Sequence, residues 1–132
     1  MNQKIINNLN PTNSAKAYIN TIKNQIIDKQ ASKLFEDLKW IKLEGVSKHD
    51  SDLFPIVFTG KGEKVLLLHG FDSCFLEYRR LTPLLKNNNK LIIPDLYGFG
   101  FSPRSSGNKY GFKYLVRHLD SVLNYFSENH PI

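Results

Sequence analysis

The sequence has only one cysteine and lacks any long apolar run. Cys74 alone excludes a disulfide within the chain and is typical of a reducing compartment. The longest strongly apolar run, residues 65–68, is far shorter than the roughly 20 residues of a membrane-spanning helix. Residues 1–11 contain no apolar core of the length that a signal peptide needs. We therefore expect a cytoplasmic protein without a membrane span.

A concentrated basic patch is also missing. The net charge is +6, but ten lysines face seven acids in residues 1–70, and eight basic residues face five acids in residues 71–132. Nucleic-acid-binding proteins cluster their positive charge on one face or helix. We therefore expect a mildly basic solvated surface and no nucleic-acid partner.

Motifs for metals and phosphates are absent as well. The four histidines and Cys74 lack metal-ligand spacing. There is no G-x-x-x-x-G-K pattern, and Pro103 occupies the third glycine position of a would-be G-x-G-x-x-G. We expect neither a metal nor a cofactor. His49 and His130 are expected to face solvent.

The chain divides by hydrophobic pattern into three parts. Residues 1–13, rich in asparagine, are expected to form a loose tail. Residues 14–39 are expected to be helical, with Asn13 or Ser14 as the N-cap. Apolar residues recur there at helical spacing and suggest one continuous stripe: Ala15, Tyr18, Ile19, Ile22, Ile26, Leu34, Phe35 and Leu38.

Residues 40–132 alternate between strand and helix patterns. Strands are predicted at 40–43, 55–59, 64–68 and 90–94, and the apolar run in 64–68 indicates a strand buried on both faces. A helix is predicted at 75–85. A second has the clearest stripe: Leu115, His118, Leu119, Val122, Leu123 and Phe126. Strands that alternate with helices favour a parallel sheet with right-handed crossovers.

Two loops follow the buried strands, at the sheet edge where open α/β sheets place ligands. The first contains His69, Gly70 and Phe71, where Gly70 permits a sharp turn and backbone N–H groups at a helix start can stabilise an oxyanion. The second runs from 95 to 104 and holds two glycines and a proline, which build a compact curve.

Both loops together resemble those of the α/β-hydrolase superfamily. His69-Gly70-Phe71 after an apolar strand resembles the family's oxyanion loop, and the second loop is similar to its D-x-x-G-x-G-x-S loop. The resemblance covers residues 40–132 and implies an α/β class: a partial α/β-hydrolase fold, with a mixed, mostly parallel sheet flanked by helices and preceded by an N-terminal helix. It also implies that the Phe71 backbone N–H is the first oxyanion-hole donor, and that His69 and Gly70 shape its loop. The other matched residues imply loop-building roles: Asp95, Gly98, Gly100 and Ser102.

The sequence departs from the family at the nucleophile. The G-x-S-x-G elbow is absent from the 132 residues. The family's order places that elbow just after the helix that should end near Pro131, and the acid and base later still. The resemblance therefore implies an ester or acyl hydrolase of the serine type that stops before its nucleophile and is inactive alone, so whether the chain is itself an enzyme stays open.

Alternative functions follow from the same residues. Dehalogenases and epoxide hydrolases share the fold but use an aspartate nucleophile, and they usually carry proline where this chain has Asp72. A binding or assembly module is the other class. It would be completed by a second chain, or associate with itself, through the apolar edge left open at 65–68. A degenerate remnant of the fold is the other form of this alternative.

Five further side chains have two interpretations each. Cys74 lies near a helix start, which can lower a thiol pKa, but a packing role is favoured. His118 is expected to be a hydrogen-bonded core histidine rather than a catalyst. The aromatic residues Tyr97, Phe99 and Phe101 are expected to pack, the alternative being an acyl pocket.

Overall fold

The computed structural model describes residues 14–129. The predicted tail at 1–13 and His130 lie outside this range. In the described range, a four-stranded sheet carries helices on its faces and is preceded by two helices. The class is α/β, as the sequence predicts.

The N-terminal segment forms two helices instead of one. Helix α1 spans Ser14–Ile22 and continues as a 3-10 turn at Lys23–Gln25, and α2 spans Lys29–Glu36. Asp28 separates them because its backbone is extended and its carboxylate accepts the N–H groups of Gln30 at 2.9 Å and Ala31 at 3.2 Å. A residue that caps a new helix cannot also continue the previous one. The predicted continuous helix is therefore wrong at 26–28, and Leu38, the last residue of the predicted stripe, lies in a strand.

The sheet consists of β1 (Leu38–Ile41), β2 (Phe54–Gly60), β3 (Glu63–Leu66) and β4 (Asn89–Pro94). All four strands were predicted, although β1 begins before residue 40 and β3 ends before Leu68. The order is β1-β2-β4-β3, and the chain crosses from β3 over a helical segment to β4.

The pairing corrects one part of the prediction. Only β3 and β4 are parallel, while β1 with β2 and β2 with β4 are antiparallel. The sheet is mixed, as expected, but it is not mostly parallel within residues 14–129. The reason is that only β3 and β4 are joined by a helical crossover, which parallel neighbours require.

Strand β3 is less buried than the sequence suggests. Within the described residues β3 pairs only with β4 and lies at the edge of the sheet. Its residues are exposed or half-buried, and Leu68 beyond it is 40% exposed. An edge position leaves one side of a strand uncovered, so the run of apolar residues does not here mark burial on both faces.

The helical segment between β3 and β4 is broken in two. A 3-10 helix at Phe75–Tyr78 precedes the single-turn helix α3 at Thr82–Leu85. Pro83 has no N–H to bond the carbonyl four residues earlier, which prevents one helix from running through residues 75–85. Helix α4 (Phe112–Asn129) confirms the last predicted helix and buries His118, Val122 and Phe126.

Buried apolar residues pack on both faces of the sheet. One cluster lies against α4 and includes Phe54, Phe58 and Ile92. The other lies against α2 and the 3-10 helix and includes Leu34, Phe75 and Ile93. These two layers hold the carboxyl ends of β3 and β4 side by side.

Candidate functional site

The loops after β3 and β4 meet at the carboxyl edge of the parallel strand pair. Leu66 pairs with Ile92, and Leu67 N–H still bonds the Ile92 carbonyl at 2.9 Å. His69 and Asp95 follow these positions directly. The register of two strands therefore brings together the two loops that the sequence singled out.

His69 joins the loops through its ring. The side chain is buried, its Nε2 accepts the Leu96 N–H at 2.9 Å, and its Nδ1 lies 2.8 Å from the Gly70 carbonyl oxygen. A backbone N–H can only donate and a carbonyl can only accept, so Nε2 is unprotonated and Nδ1 carries the proton. The ring is thus a neutral hydrogen-bonding link and not an acid or base poised toward a ligand.

Asp95 anchors both loops from inside the protein. Its fully buried carboxylate accepts the N–H groups of Phe75 and Phe101, each at 2.6 Å, and its backbone carbonyl accepts the Ser102 hydroxyl at 3.1 Å. Burial raises the pKa of the carboxyl to about 6, against the opposing effect of the two N–H bonds. Asp95 therefore holds loop geometry, as the resemblance implied.

His69 and Asp95 are close without forming an ion pair. Nε2 of His69 lies 4.0 Å from Oδ1 of Asp95. That nitrogen already accepts the N–H of Leu96, so it carries no proton to share with the carboxylate. The hydrogen-bond geometry rather than the short separation decides the charge state of the ring.

The Asp95 carboxylate also requires a glycine at position 100. Its φ is +55°, and a Cβ at this position would overlap the Asp95 carboxylate and lie 2.9 Å from Cys74 Cβ. Glycine alone tolerates both the backbone conformation and the contact. The loop-building role expected of this residue has here a direct steric cause.

The loop after β3 presents backbone N–H groups without an acceptor among the described residues: Phe71, Asp72, Ser73 and Cys74. Gly70 N–H donates to Glu77 Oε2 at 3.3 Å and Phe75 N–H donates to Asp95, whereas Phe71 N–H bonds no acceptor within residues 14–129. Asp72, the next residue, has a φ of +56°, a left-handed conformation that is costly outside glycine. A strained turn and an unpaired donor at one point are suited to binding an oxygen atom.

Glu77 is a site residue that the sequence did not reveal. Its carboxylate bonds Ser73 and the Gly70 N–H, and these hydrogen bonds, the one from Ser73 first, lower the pKa of its carboxyl group. Tyr78, its neighbour, donates its hydroxyl to the Leu68 carbonyl. Hydrophobic periodicity gave no signal for an exposed acid that folds back onto the preceding loop.

The three aromatic residues of the second loop differ in their surroundings. Tyr97 is buried between Phe54 and Tyr110, with ring centroids 6.3 and 5.0 Å away. Phe101 packs on Phe75 and Phe35. Both therefore pack, as predicted. Phe99 instead lies edge-on to the Phe71 ring at 5.2 Å, at the mouth of the site.

Cys74 agrees with the favoured interpretation, and His118 agrees with it only in part. Burial raises the pKa of the Cys74 thiol, so the lowered value considered for a helix start is wrong, and a packing role agrees with its half-buried position. His118 lies in the core, but neither ring nitrogen has a hydrogen-bond partner among the described residues. Burial lowers its pKa to about 4. The predicted hydrogen-bonded core histidine is thus half right.

The remaining features lie away from the two loops. His49 is exposed, as expected, and its Nε2 lies 2.8 Å from the Ser106 carbonyl oxygen. Two clefts, of about 450 and 630 Å³, lie beside α4 and between the N-terminal helices and β1. Across residues 14–129 no three histidine, cysteine or acidic side chains gather as metal ligands. None of the helices in that range is long and apolar enough to cross a membrane.

Comparison with known proteins gives relatives for part of the chain. No protein-family profile matches the sequence. A 2-hydroxy-6-oxo-2,4-heptadienoate hydrolase of Pseudomonas putida is 35% identical over 68 residues, which are 49% of this chain and 25% of that protein. A haloalkane dehalogenase of Mycolicibacterium paratuberculosis is 37% identical over 67 residues, 49% of this chain and 21% of the other. The chain therefore spans about a quarter of the length of the curated relatives it matches.

Solved structures agree with these relatives. A meta-cleavage product hydrolase of Pseudomonas fluorescens superimposes with a TM-score of 0.57 at 29% identity, over 65% of this chain and 30% of that one. A haloalkane dehalogenase of Bradyrhizobium elkanii gives a TM-score of 0.59 at 25% identity, over 68% of this chain and 28% of that one. The similarity covers the greater part of the chain and less than a third of each neighbour.

Proposed function

We propose that this chain, which is related in sequence and in fold to the α/β-hydrolases, is a segment of a hydrolase domain and that it binds the substrate oxyanion. The observation that carries the proposal is the unpaired Phe71 N–H, in a loop anchored by His69 and Asp95. Fixed donors aimed at developing charge are the largest single contribution to catalysis in many enzymes.

The chemistry follows from where charge develops. When a nucleophile attacks an ester or acyl carbonyl, the carbonyl oxygen gains negative charge and shortens its hydrogen bond to a waiting N–H. Because Asp95 and His69 fix the loop before substrate arrives, the donor needs no reorganisation during the reaction. Loss of one such donor costs roughly 100- to 1,000-fold in rate.

The nucleophile, base and acid are proposed to lie outside these 132 residues. The sequence contains no G-x-S-x-G pattern, and Cys74 has a pKa raised by burial and no hydrogen bond to a histidine among the described residues. We therefore expect the isolated chain not to hydrolyse p-nitrophenyl acyl esters above background. Turnover that follows the purified chain and survives Cys74→Ala would contradict this proposal.

A direct test is the DNA that follows the Ile132 codon. Translation in all three frames should reveal a G-x-S-x-G pattern within about ten residues, because that is where the α/β-hydrolase order places the elbow. Absence of the elbow from every frame would rule out the serine-hydrolase proposal for this chain.

The type of nucleophile divides the proposal into two chemistries. The relatives include both a hydrolase of a dienoate and haloalkane dehalogenases. Asp72 at the position where the aspartate-nucleophile enzymes usually carry proline favours a serine nucleophile and an ester or acyl substrate. The single cysteine favours a cytoplasmic location.

An assembly role is the second candidate, favoured by the edge position of β3. Within the described residues this strand bonds β4 on one side only. An uncovered edge recruits strands from other chains, so a complementing segment or a second copy is the expected partner. Co-expression with a segment that supplies the missing strands should increase solubility. A cooperatively melting monomer in sedimentation and thermal unfolding experiments would argue against this role.

A further inference from the structure

An exposed aromatic pair lies at the mouth of the candidate site. The Phe71 side chain is 90% exposed, and its ring meets that of Phe99 at 5.2 Å and an interplanar angle of 68°. Phe99 is half-buried and stands edge-on to the ring of His69, with centroids 6.4 Å apart. The rings of Phe71 and Phe99, which we name the aromatic pair, thus form a continuous apolar surface from the buried His69 ring to the solvent.

Phe71 carries both this surface and an unpaired donor. A carbonyl oxygen bonded to its N–H lies about 2.9 Å from the nitrogen. Covalent geometry keeps the ring of the same residue within a few ångströms of that nitrogen. The group attached to such a carbonyl carbon therefore starts beside the aromatic pair.

We propose that the aromatic pair binds the acyl group of the substrate and selects for apolar acyl chains. The proposal rests on the oxyanion role of Phe71 N–H and specifies the substrate class of that site. Each methylene buried against such a surface is expected to strengthen binding by up to about fourfold.

Primary amides of increasing length are the probe: acetamide, butyramide and hexanamide. They present a neutral carbonyl oxygen, so neither Glu77 nor the net charge of +6 biases the result. In a 15N-labelled sample of the whole chain, the Phe71 amide signal should move with each amide. The apparent affinity should rise about twofold to fourfold per methylene.

Three variants localise the effect. Phe71→Ala retains the backbone donor and removes the exposed ring, so the Phe71 position should still respond while the dependence on chain length disappears. Phe99→Ala should weaken that dependence. Phe112→Ala is the matched control, because Phe112 is also highly exposed, at 81%, but lies at the start of α4. It should leave the dependence unchanged.

The outcomes separate the two proposals. An affinity that is independent of chain length, or equally dependent on it in Phe71→Ala, overturns the acyl-binding role while a responding Phe71 amide keeps the oxyanion role. If the Phe71 amide responds to none of the compounds, both proposals fail. Loss of the chain-length dependence in Phe71→Ala, with retention in Phe112→Ala, supports the aromatic pair.

Discussion

The backbone N–H of Leu96 donates a 2.9 Å hydrogen bond to Nε2 of His69, and this bond joins the two loops of the candidate site. Both partners are buried, so neither can exchange the bond for one to water. The interaction fixes the tautomer of the ring and leaves Nδ1 to hold the Gly70 carbonyl. The loop that carries Phe71 N–H is thereby positioned from the neighbouring strand.

Replacement of His69 by alanine should destabilise the protein. The buried Leu96 N–H would lose its acceptor, and an unsatisfied buried group costs about 1–3 kcal/mol. Urea denaturation would measure the loss as a lower midpoint. His49→Ala is the control: that ring is exposed, so its removal should change stability by less than about 0.5 kcal/mol. Equal losses in the two variants would argue against the link between the loops.

Alanine at Gly100 should cost more stability than alanine at Gly45. Both glycines have positive φ, +55° and +71°, so both substitutions incur a backbone cost of about 1 kcal/mol. A Cβ at Gly45 meets open space, whereas at Gly100 it overlaps the Asp95 carboxylate. The difference between the two midpoints in urea therefore measures the contact with Asp95. Indistinguishable midpoints would show that Asp95 moves away from the added Cβ without loss of stability.

His118→Phe should stabilise the protein at neutral pH. The substitution removes two ring nitrogens that have no partner among residues 14–129 and keeps a ring against Tyr97 and Phe54. Relief of buried unsatisfied polar atoms is worth about 1–3 kcal/mol. Thermal unfolding should show a higher midpoint than for the wild type. His118→Ala, which also removes the nitrogens but leaves a cavity, should lower it.

Asp95 and His118 should have opposite effects on stability as the pH changes. Burial raises the pKa of Asp95 from 3.8 to about 6, so its contribution is present below pH 3.8 and is lost as the pH rises through 6. Burial lowers the pKa of His118 from 6.5 to about 4, so its contribution is present above pH 6.5 and is lost as the pH falls through 4. Each contribution to the free energy of unfolding amounts to about 3 kcal/mol. In the wild type the two pH dependences largely cancel between pH 4 and 6.

Single variants should reveal how Asp95 and His118 each contribute to the pH dependence of stability. His118→Phe should become more stable as the pH falls from 6.5 to 4, because the contribution of Asp95 is no longer offset by that of His118. Asp95→Asn should become less stable over the same range, because the contribution of His118 is no longer offset by that of Asp95. Urea midpoints at several pH values would measure both slopes. Parallel pH profiles for the two variants would contradict the opposed assignment.

The sequence predicts the parts of this structure that depend on local pattern. Strands β2 and β4 and helix α4 appear where hydrophobic spacing places them. The site loops were also identified from their glycines, and Gly100 does require glycine. The sharp turn expected at Gly70 is found instead at Asp72, because Gly70 has no left-handed φ and a Cβ there would meet open space. A residue such as Asp28, in contrast, looks like one more polar position on a helix until its carboxylate is seen capping α2.

The parts that the sequence did not predict depend on neighbours distant along the chain. Whether β3 is an interior or an edge strand is set by what pairs with it, and its apolar composition is the same in either case. The contact of Glu77 with Gly70 N–H and the missing partners of His118 are likewise properties of packing. Periodicity describes which face of an element is apolar and not which polar atoms find a bond.

The position of β4 between β2 and β3 imposes an order on folding. Strands β1 and β2 can pair as soon as both exist, but β3 contacts no strand except β4 within the described residues. When the chain is synthesised from its N-terminus, Val65 must wait for Leu91 to leave the ribosome before it gains a strand partner. We therefore expect the pairing of β3 with β4 to form late, since non-local pairing requires the intervening loop to close first. A ribosome that pauses before β4 leaves an apolar strand without a partner.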